Sequence, residues 1–325
     1  MNNKRTALVC GASGFLATHL IKRLVRDGFF VRAISRSMPR WGEPTAAHDY
    51  LTMDLRYLSA EDPLFAGVDE VYQMAATAGS IAMMEDHDLD AKILRDNALI
   101  NLHVLEACRH HKVGKVFFPS TACMYPSNET RASKESDAFP LQEDTNAYAW
   151  EKVFSEKLYA SYRKYGLKTY IGRYHSTYGP YIDWRGVSAR APAALCRKVA
   201  EAENFTGEIE MWGDGGQTRS FMYVDDAVEG TMKLVRSDFF GPVNIGSAEL
   251  VTLDQLAHTI MMVAKKTLTI KHVQGVQGVR GRSSDNALIR EKLGWTPSIA
   301  LHRGLVPTYA WVAKQVELSK AHVDA

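Results

Sequence analysis

The sequence predicts an α/β fold in which a doubly wound parallel sheet is followed by a smaller α/β domain. Strand-like and helix-like segments alternate through the first half of the 325-residue chain. The strand-like segments are nearly continuous apolar runs, as expected for parallel strands covered by helices on both faces. After about residue 178 the alternation weakens, and glycine and proline cluster, for example at 213–216. We therefore place a domain boundary there, giving parts 1–178 and 179–325 that we expect to be interleaved.

Hydrophobic periodicity and turn residues place the elements of the first part in order. The first apolar strand runs into the glycine turn 11–14, and Gly28 closes the helix that follows it. The segment 97–110 carries its apolar residues largely on one side of a helix. The predicted strands are 7–10, 29–34, 69–74, 115–119 and 168–173, and the predicted helices are 19–27, 97–110 and 145–165.

The composition excludes several classes of protein. A formal charge of +2 gives no reason to expect nucleic acid or an anionic membrane as partner. No apolar run approaches the roughly 18 residues that a membrane span needs, and the start of the chain lacks a signal-peptide core. The spacing of Cys10, Cys108, Cys123 and Cys196 fits neither a zinc site nor a disulfide framework. We predict a cytoplasmic protein without a metal centre.

The glycine turn predicts a site for a dinucleotide. A turn without side chains lets backbone N–H groups approach a pyrophosphate, and the following helix N-terminus adds favourable partial charge. An acidic residue at the end of the second strand would hold ribose hydroxyls and repel a 2′-phosphate. Ser35 and Arg36 stand there instead. The cofactor is therefore predicted to be NAD or NADP, with a modest preference for NADP.

A tyrosine and a lysine four residues apart predict the reacting groups. On a helix, Tyr148 and Lys152 lie on one face. The ammonium is expected to favour the phenolate and so lower the pKa of the tyrosine from about 10. Such a phenolate can take a proton from a sugar hydroxyl while hydride leaves to a nicotinamide.

Several motifs together resemble the extended short-chain dehydrogenase/reductase family, which implies a Rossmann fold. They are Gly11-x-x-Gly14-x-x-Ala17, Ala75-Ala76, Ser120 to Tyr125, Tyr148-x-x-x-Lys152 and Arg173 to Pro180. Three further stretches are similar to the GDP-mannose 3,5-epimerase branch, namely 192–198, 211–221 and 278–286. The resemblance spans nearly the whole chain and implies a GDP-sugar substrate and a homodimer.

The resemblance also implies roles for individual residues. Thr121 would orient the sugar 4-hydroxyl beside Tyr148 and Lys152, and Cys123 would remove a ring proton. The residues that it implies at the cofactor are Gly11, Ser13, Gly14, Phe15, Leu16, Ser35, Arg36, Asp54, Ala75 and Lys152. The residues that it implies at the substrate are Gly79, Cys123, Ser176, Arg190, Lys198, Gln217 and Arg282.

Four positions depart from the branch pattern. Arg190 stands where relatives carry a proton-donating lysine, after Ala189 in place of an acid. Ser176 replaces an asparagine, and Gly79 is what remains of a glycine-rich segment. A guanidinium keeps its proton, so Arg190 is a poor general acid. It could clamp a hydroxyl or stabilise an enolate, with water or His175 as proton donor, and these roles stay open. Because all four changes surround the sugar, we expect GDP recognition to be kept while the sugar or product differs.

The predicted function is an NAD(P)-dependent epimerase acting on a GDP-linked sugar through a transient 4-keto intermediate. The ketone acidifies the neighbouring ring carbons, and a thiolate at Cys123 is a competent base for them. Two other enzymes fit the same motifs: a GDP-sugar 4-epimerase without ring deprotonation, and a GDP-keto-sugar reductase. A non-catalytic NADP-sensing protein is a fourth reading, which the intact Tyr148 and Lys152 disfavour.

Overall fold

The computed structural model describes residues 4–39, 45–77, 87–127, 131–142, 145–186, 189–275 and 279–321. Within these ranges, no helix is both long enough and apolar enough to span a bilayer. The strands are β1 Thr6–Cys10, β2 Phe30–Ser35, β3 Asp49–Thr52, β4 Glu70–Gln73, β5 Lys115–Thr121, β6 Lys168–Tyr174, β7 Ser176–Tyr178, β8 Glu208–Trp212, β9 Thr218–Tyr223, β10 Val243–Ile245, β11 Leu250–Thr252, β12 Thr269–Val273 and β13 Gly281–Arg282. The helices are α1 Phe15–Arg26, α2 Asp90–His110, α3 Ala147–Tyr162, α4 Ala191–Glu201, α5 Val224–Val235, α6 Leu253–Ala264, α7 Ala287–Leu293 and α8 Leu301–Ala321.

Seven strands form one parallel sheet in the order β10-β6-β5-β4-β1-β2-β3. Every neighbouring pair in it is parallel. Apolar residues of α1 and α5 cover one face, and those of α2 and α3 cover the other. Both faces are therefore buried, which explains the continuous apolar runs of the central strands. The predicted doubly wound α/β fold is confirmed.

A smaller layer is built mainly from the second half of the chain. Strand β9 pairs with β7, β11 and β13, and β8 pairs with β12. Helices α4, α6 and α8 pack around a separate apolar cluster on these strands. The chain then returns to the large sheet, because α5 lies on its face and β10 forms its edge. The boundary at 178/179 stays a prediction.

The predicted elements differ from the observed ones mostly at their ends. The first helix begins at Phe15 rather than at residue 19, and α2 begins at Asp90 rather than at residue 97. Strand β5 continues to Thr121, two residues beyond its predicted end. Strand β3 was not predicted, because its sequence Asp-Tyr-Leu-Thr is a partly exposed sheet edge without an apolar run.

Candidate active site

The glycine turn brings the ends of β1 and β4 into close contact. Gly11 has φ +75°, and a Cβ there would lie 2.6 Å from the Cα of Ala75. The amide N–H groups of Gly11 and Ala12 both donate to the carbonyl of Ile34, at 2.7 and 3.0 Å. Gly14 is the N-cap of α1, so the turn lies directly before that helix N-terminus. No side chain caps this N-terminus, so the first N–H groups of α1 are the donors that a pyrophosphate could use.

The end of β2 borders the same turn. The hydroxyl groups of Ser13 and Ser35 lie 2.7 Å apart, within hydrogen-bonding distance. Arg36 follows, and its charge acts on Asp54. That carboxylate is hydrogen-bonded by Arg56, with Nη2 to Oδ2 at 2.6 Å, which holds the pKa of Asp54 below its usual value. Among the described residues, no carboxylate follows the end of β2 at the position where a ribose hydroxyl would need one.

Phe15 and Leu16 differ in character from the rest of the predicted cofactor set. Their side chains pack into the apolar clusters beneath α1 rather than toward the turn. They can therefore contact a cofactor only through their backbone at the helix N-terminus.

Helix α3 places Tyr148 and Lys152 side by side at the end of β5. The helix starts after Asn146, whose side chain accepts the N–H of Ala149 at 2.9 Å. The lysine is 2% exposed. Its Nζ lies 5.6 Å from the centre of the Tyr148 ring and 4.5 Å from that of Phe118. The predicted pair is thus present, with the lysine buried and the tyrosine partly buried.

The predicted lowering of the tyrosine pKa is wrong in this structure. Burial raises the pKa of Tyr148 well above its usual value, and the Cys123 thiol adds to the rise. The cation that opposes the rise is Arg190, helped by a hydrogen bond from Thr121. Burial also lowers the pKa of Lys152. Low dielectric disfavours the phenolate and the ammonium alike, and this outweighs their proximity.

Thr121 and Cys123 lie at the end of β5 beside the tyrosine. The N–H of Cys123 donates to Thr121 Oγ1 at 3.1 Å, which fixes the turn that carries the thiol. Cys123 is partly exposed, whereas Cys10, Cys108 and Cys196 are buried. Burial raises the pKa of Cys10 to about 12, which makes it inert. Cys123 alone combines access with proximity to Tyr148.

Arg190 approaches the same point from the smaller layer. It is the N-cap residue of α4, with extended backbone, and it is solvent-exposed. Its charge opposes the rise that burial causes in the pKa of the Tyr148 hydroxyl. The structure therefore brings together five residues predicted as catalytic: Thr121, Cys123, Tyr148, Lys152 and Arg190.

Two arginines lie in register on neighbouring strands facing this cluster. Arg219 of β9 pairs with Arg282 of β13. Arg282 Nη2 donates to the carbonyl of Tyr125 at 2.8 Å, and its buried Nε has no hydrogen-bond partner in the described part of the chain. Burial and then Arg282 lower the pKa of Arg219 to about 10, while Cys123 acts on it in the opposite direction. Both guanidinium groups also donate to backbone carbonyls, and the donors that remain are of the kind that can bind a dianionic group.

Sequence reasoning missed Arg219. It lies within the quoted stretch 211–221, but only strand pairing with β13 makes its position meaningful. The alternation of β9 was the available signal, because Arg219 is a charged residue in a mostly buried strand.

The remaining predicted substrate residues are placed differently. Gln217 is 1% exposed, and neither of its amide atoms has a partner among the described residues. Lys198 Nζ donates to the carbonyl of Glu210 at 2.5 Å, so it supports the backbone of β8. Ser176 begins β7, opposite Phe221. Gly79 lies outside the described residues.

His175 was an open candidate for a proton donor. Burial and then the Arg282 charge lower the pKa of His175 to about 3. Its ring stacks on Tyr125 with centres 5.8 Å apart, and its Nε2 has no partner within the described ranges. An imidazolium is therefore not available near neutral pH.

The site and the fold are those of a nicotinamide-dependent sugar-modifying enzyme, and comparison with known proteins agrees. The model of the NAD dependent epimerase/dehydratase family matches residues 7–246. The chain belongs to this family, and the predicted extended short-chain dehydrogenase class is confirmed.

Individual relatives are similar to this chain over nearly its whole length. GDP-mannose 3,5-epimerase of Arabidopsis thaliana is 40% identical over 320 residues, covering 96% of this chain and 83% of that enzyme. GDP-mannose 3,5-epimerase 1 of Oryza sativa subsp. japonica is 41% identical over 318 residues, covering 96% and 82%. Among solved structures, UDP-glucose 4-epimerase of Thermotoga maritima matches with a TM-score of 0.85 at 24% identity, over 96% of this chain and 99% of that one. The last match supports the fold alone.

Proposed function

We propose that this enzyme epimerises a GDP-linked sugar through a transient 4-keto intermediate, as a relative of the GDP-mannose 3,5-epimerases with an altered sugar pocket. The observation that carries the proposal is the meeting of Tyr148, Thr121 and the accessible Cys123 thiol at the end of β5. A hydroxyl base and a carbon base at one point are what oxidation at C4 followed by ring deprotonation requires.

The chain's own residues fit a nicotinamide dinucleotide. The tight glycine turn at Gly11 and the N-terminus of α1, which no side chain caps, suit its pyrophosphate. When bound, it supplies a hydride acceptor for the sugar C4. Ser13, Ser35 and Arg36 would hold the adenosine ribose. We propose a preference for NADP, supported by Arg36 at the end of β2, and the mass of the dinucleotide retained through purification tests it.

The reaction proceeds through proton transfers at named atoms. Tyr148 Oη takes the proton of the sugar 4-hydroxyl, and the charges of Arg190 and Lys152 have to offset the burial that raises the pKa of the tyrosine. Thr121 donates a hydrogen bond that orients the oxygens. Cys123 Sγ then removes a proton from the ring carbon next to the ketone, and the Arg190 guanidinium stabilises the enolate oxygen. Reprotonation of the opposite face by water inverts that carbon before C4 is reduced again.

The arginine pair gives the diphosphate its position. Arg219 and Arg282 present neighbouring guanidinium groups, and the unpartnered Nε of Arg282 is a free donor in the described part of the chain. We propose that they hold the diphosphate and that Gln217 meets it or the sugar. Residues 179–325 would then supply most of the substrate contacts, and residues 1–178 would hold the dinucleotide.

Solvent deuterium tests the proposal directly. With GDP-mannose in D₂O, the parent enzyme is expected to place deuterium on a ring carbon without net consumption of cofactor. Cys123→Ser should lower this exchange by at least about 100-fold, because the hydroxyl is a far weaker base, while C4 oxidation persists. Tyr148→Phe should stop both.

Other outcomes identify the alternatives. Epimerisation at C4 without deuterium on carbon, unaffected by Cys123→Ser, would establish a 4-epimerase. Stoichiometric loss of NADPH would establish a reductase.

Exposed apolar residues support a homodimer. Trp150 and Phe154 lie one turn apart on α3 and are 49% and 51% exposed, and Leu94 on the adjacent α2 is 42% exposed. We propose that α2 and α3 form the dimer contact. Light scattering should give a dimeric mass for the parent and a monomeric one for Trp150→Glu. Met262→Glu, at a 70% exposed position on α6, is the matched control and should stay dimeric. A monomeric parent contradicts the proposal.

A further inference from the structure

In the sequence, a buried glutamate stands between the two residues of the hydride-transfer pair. Glu151 of α3 is 2% exposed and follows Tyr148 by three residues. Its carboxylate accepts three hydrogen bonds: from Ser155 Oγ at 2.6 Å, from Asn101 Nδ2 at 3.1 Å and from Asn97 Nδ2 at 3.2 Å. The mechanism described above does not use this group.

The orientation of Asn97 is fixed by backbone beyond the end of β4. The amide N–H of Thr77, which can only donate, lies 2.6 Å from Asn97 Oδ1. The other end of the side chain, Nδ2, donates to the Thr77 carbonyl at 3.1 Å and to Glu151. Asn97 therefore cannot turn its oxygen toward the carboxylate.

Asn101 is fixed in the same way, through one intermediate. The N–H of Ala75 donates to Gln73 Oε1 at 3.0 Å, so Gln73 Nε2 is the end that reaches Asn101 Oδ1, also at 3.0 Å. Tyr159 donates to the same oxygen at 3.1 Å. Asn101 Nδ2 must then point at Glu151.

Two amide N–H groups and a hydroxyl facing one carboxyl are surroundings that suit its ionised form. No cation lies within ion-pair distance of Glu151 in the described ranges, whereas the other buried carboxylate near Lys152, Glu156, is bound by Arg173 at 2.7 Å. Glu151 raises the pKa of Lys152 against the effect of burial, and it also raises that of Tyr148. Its negative charge is therefore felt at both reacting groups.

We propose that Glu151 is a positioning residue for hydride transfer: its carboxylate ties the catalytic helix to the backbone that follows β4 and is the buried counter-charge of the Lys152 ammonium. Two amide relays connect the backbone of Ala75, which borders the glycine turn, and that of Thr77 to this one anion. The cofactor side of the site and the Tyr148–Lys152 pair are thereby held in a fixed position relative to each other. The inference rests on the proposed function, since it assigns a role at the same site.

Other titratable groups face this region, and the comparison with the parent isolates Glu151 because every variant keeps them. Burial raises the pKa of the Cys10 and Cys108 thiols and of Tyr159, so these groups stay neutral in the physiological range. Arg190 and Arg173 stay charged throughout it. The groups acting on Tyr148, Lys152 or the surroundings of Glu151 are Cys123 after β5, Arg190 at α4, Glu156 on α3 with its partner Arg173 on β6, Tyr159 on α3, Cys108 on α2 and Cys10 on β1.

The test compares Glu151→Gln with the parent by the pH dependence of kcat on the GDP-sugar that the parent turns over. Removing the anion lowers the pKa of Tyr148 and of Lys152, so both limbs of the profile should move to lower pH, by about 0.5 unit or more. Ser155→Ala is the matched control, because it removes a hydrogen bond to Glu151 and leaves the charge. Its midpoints should equal those of the parent, whatever the change in its kcat.

Glu151→Asp keeps the anion and should restore the parent midpoints even if kcat is reduced. If Glu151→Gln does not fold, the pH profile of Glu151→Asp is the test in its place. Displaced midpoints in Glu151→Asp would then overturn the proposal. Midpoints of Glu151→Gln within about 0.2 unit of the parent, with activity reduced evenly at every pH, would show a purely structural role. If the parent turns over no GDP-sugar, the proposed function fails instead, and the two failures are distinct.

Discussion

Two separate physical reasons require a glycine at position 11. Its φ of +75° favours glycine, and the backbone of Ala75 occupies the position that a side chain would need. Gly28 has a similar φ of +86°, but nothing lies within 4 Å of the position of its Cβ. The two glycines therefore share the conformational requirement, and only Gly11 adds the close approach of two strands.

The comparison of Gly11 with Gly28 predicts that their alanine variants differ in unfolding free energy. Gly28→Ala should cost about 1 kcal/mol in unfolding free energy, from backbone strain alone. Gly11→Ala should cost at least about 2 kcal/mol more, because β1 and β4 must separate, and it should also lose the retained dinucleotide. Urea unfolding and the 260-to-280 nm absorbance ratio of the purified proteins measure both effects. Equal losses in the two variants would show that the contact with Ala75 is unimportant.

Most residues of the candidate site could be predicted from the sequence. Their spacing on a helix predicted Tyr148 and Lys152, and the family resemblance implied Thr121 and Cys123 beside a strand that periodicity could place. The direction of the Tyr148 pKa shift did not follow, because it depends on how deeply α3 is buried. Desolvation is a property of the folded surroundings and has no counterpart in spacing.

At the scale of elements, a buried ion pair links α3 to β6. Arg173 Nε and Nη2 lie 2.8 and 2.7 Å from the two oxygens of Glu156, and both side chains are almost fully buried. Ser120 of β5 donates to Glu156 as well, at 2.5 Å. The helix that carries the reacting tyrosine is thus attached to two central strands at the same point.

This attachment predicts a large effect for a small substitution. Glu156→Gln leaves the Arg173 guanidinium buried without a counter-charge and should cost about 3 kcal/mol or more. Glu201→Gln breaks an exposed pair with Arg197 on α4 and should cost less than about 1 kcal/mol. Urea unfolding of both variants at neutral pH makes the comparison. Similar small losses would mean that Arg173 finds another partner or water.

Some elements could not be derived from local patterns. Strand β3 has a polar edge sequence, and the two-residue strand β13 has no pattern at all. The pairing of β13 with β9 joins segments about 60 residues apart and creates the Arg219–Arg282 pair. Periodicity reports the faces of one element, whereas such a pair depends on the register between two.

At the scale of the whole molecule, the large sheet is completed by residues that come late in the chain. Helix α5 and strand β10 contribute buried apolar side chains to the cluster on one face of the sheet, and β10 pairs with β6. Those side chains include Met232, Leu234, Val235, Val243 and Ile245. The predicted boundary at 178/179 does not coincide with a boundary of the core, because one apolar cluster contains residues from both sides of it.

A fragment ending at residue 178 is therefore expected not to fold as a unit. Exposing five such side chains costs roughly 10 kcal/mol at about 1.5–3 kcal/mol each, which is comparable to the whole stability of a typical domain. Strand β6 would also become an unpaired edge prone to aggregation. A fragment of residues 1–246 keeps α5 and β10 and is the matched comparison. Circular dichroism at 222 nm during urea titration should show a cooperative transition for 1–246 and none for 1–178. A soluble 1–178 fragment with a sharp transition would instead establish the first part as an independent folding unit, and the returning segment as an addition to a core already complete.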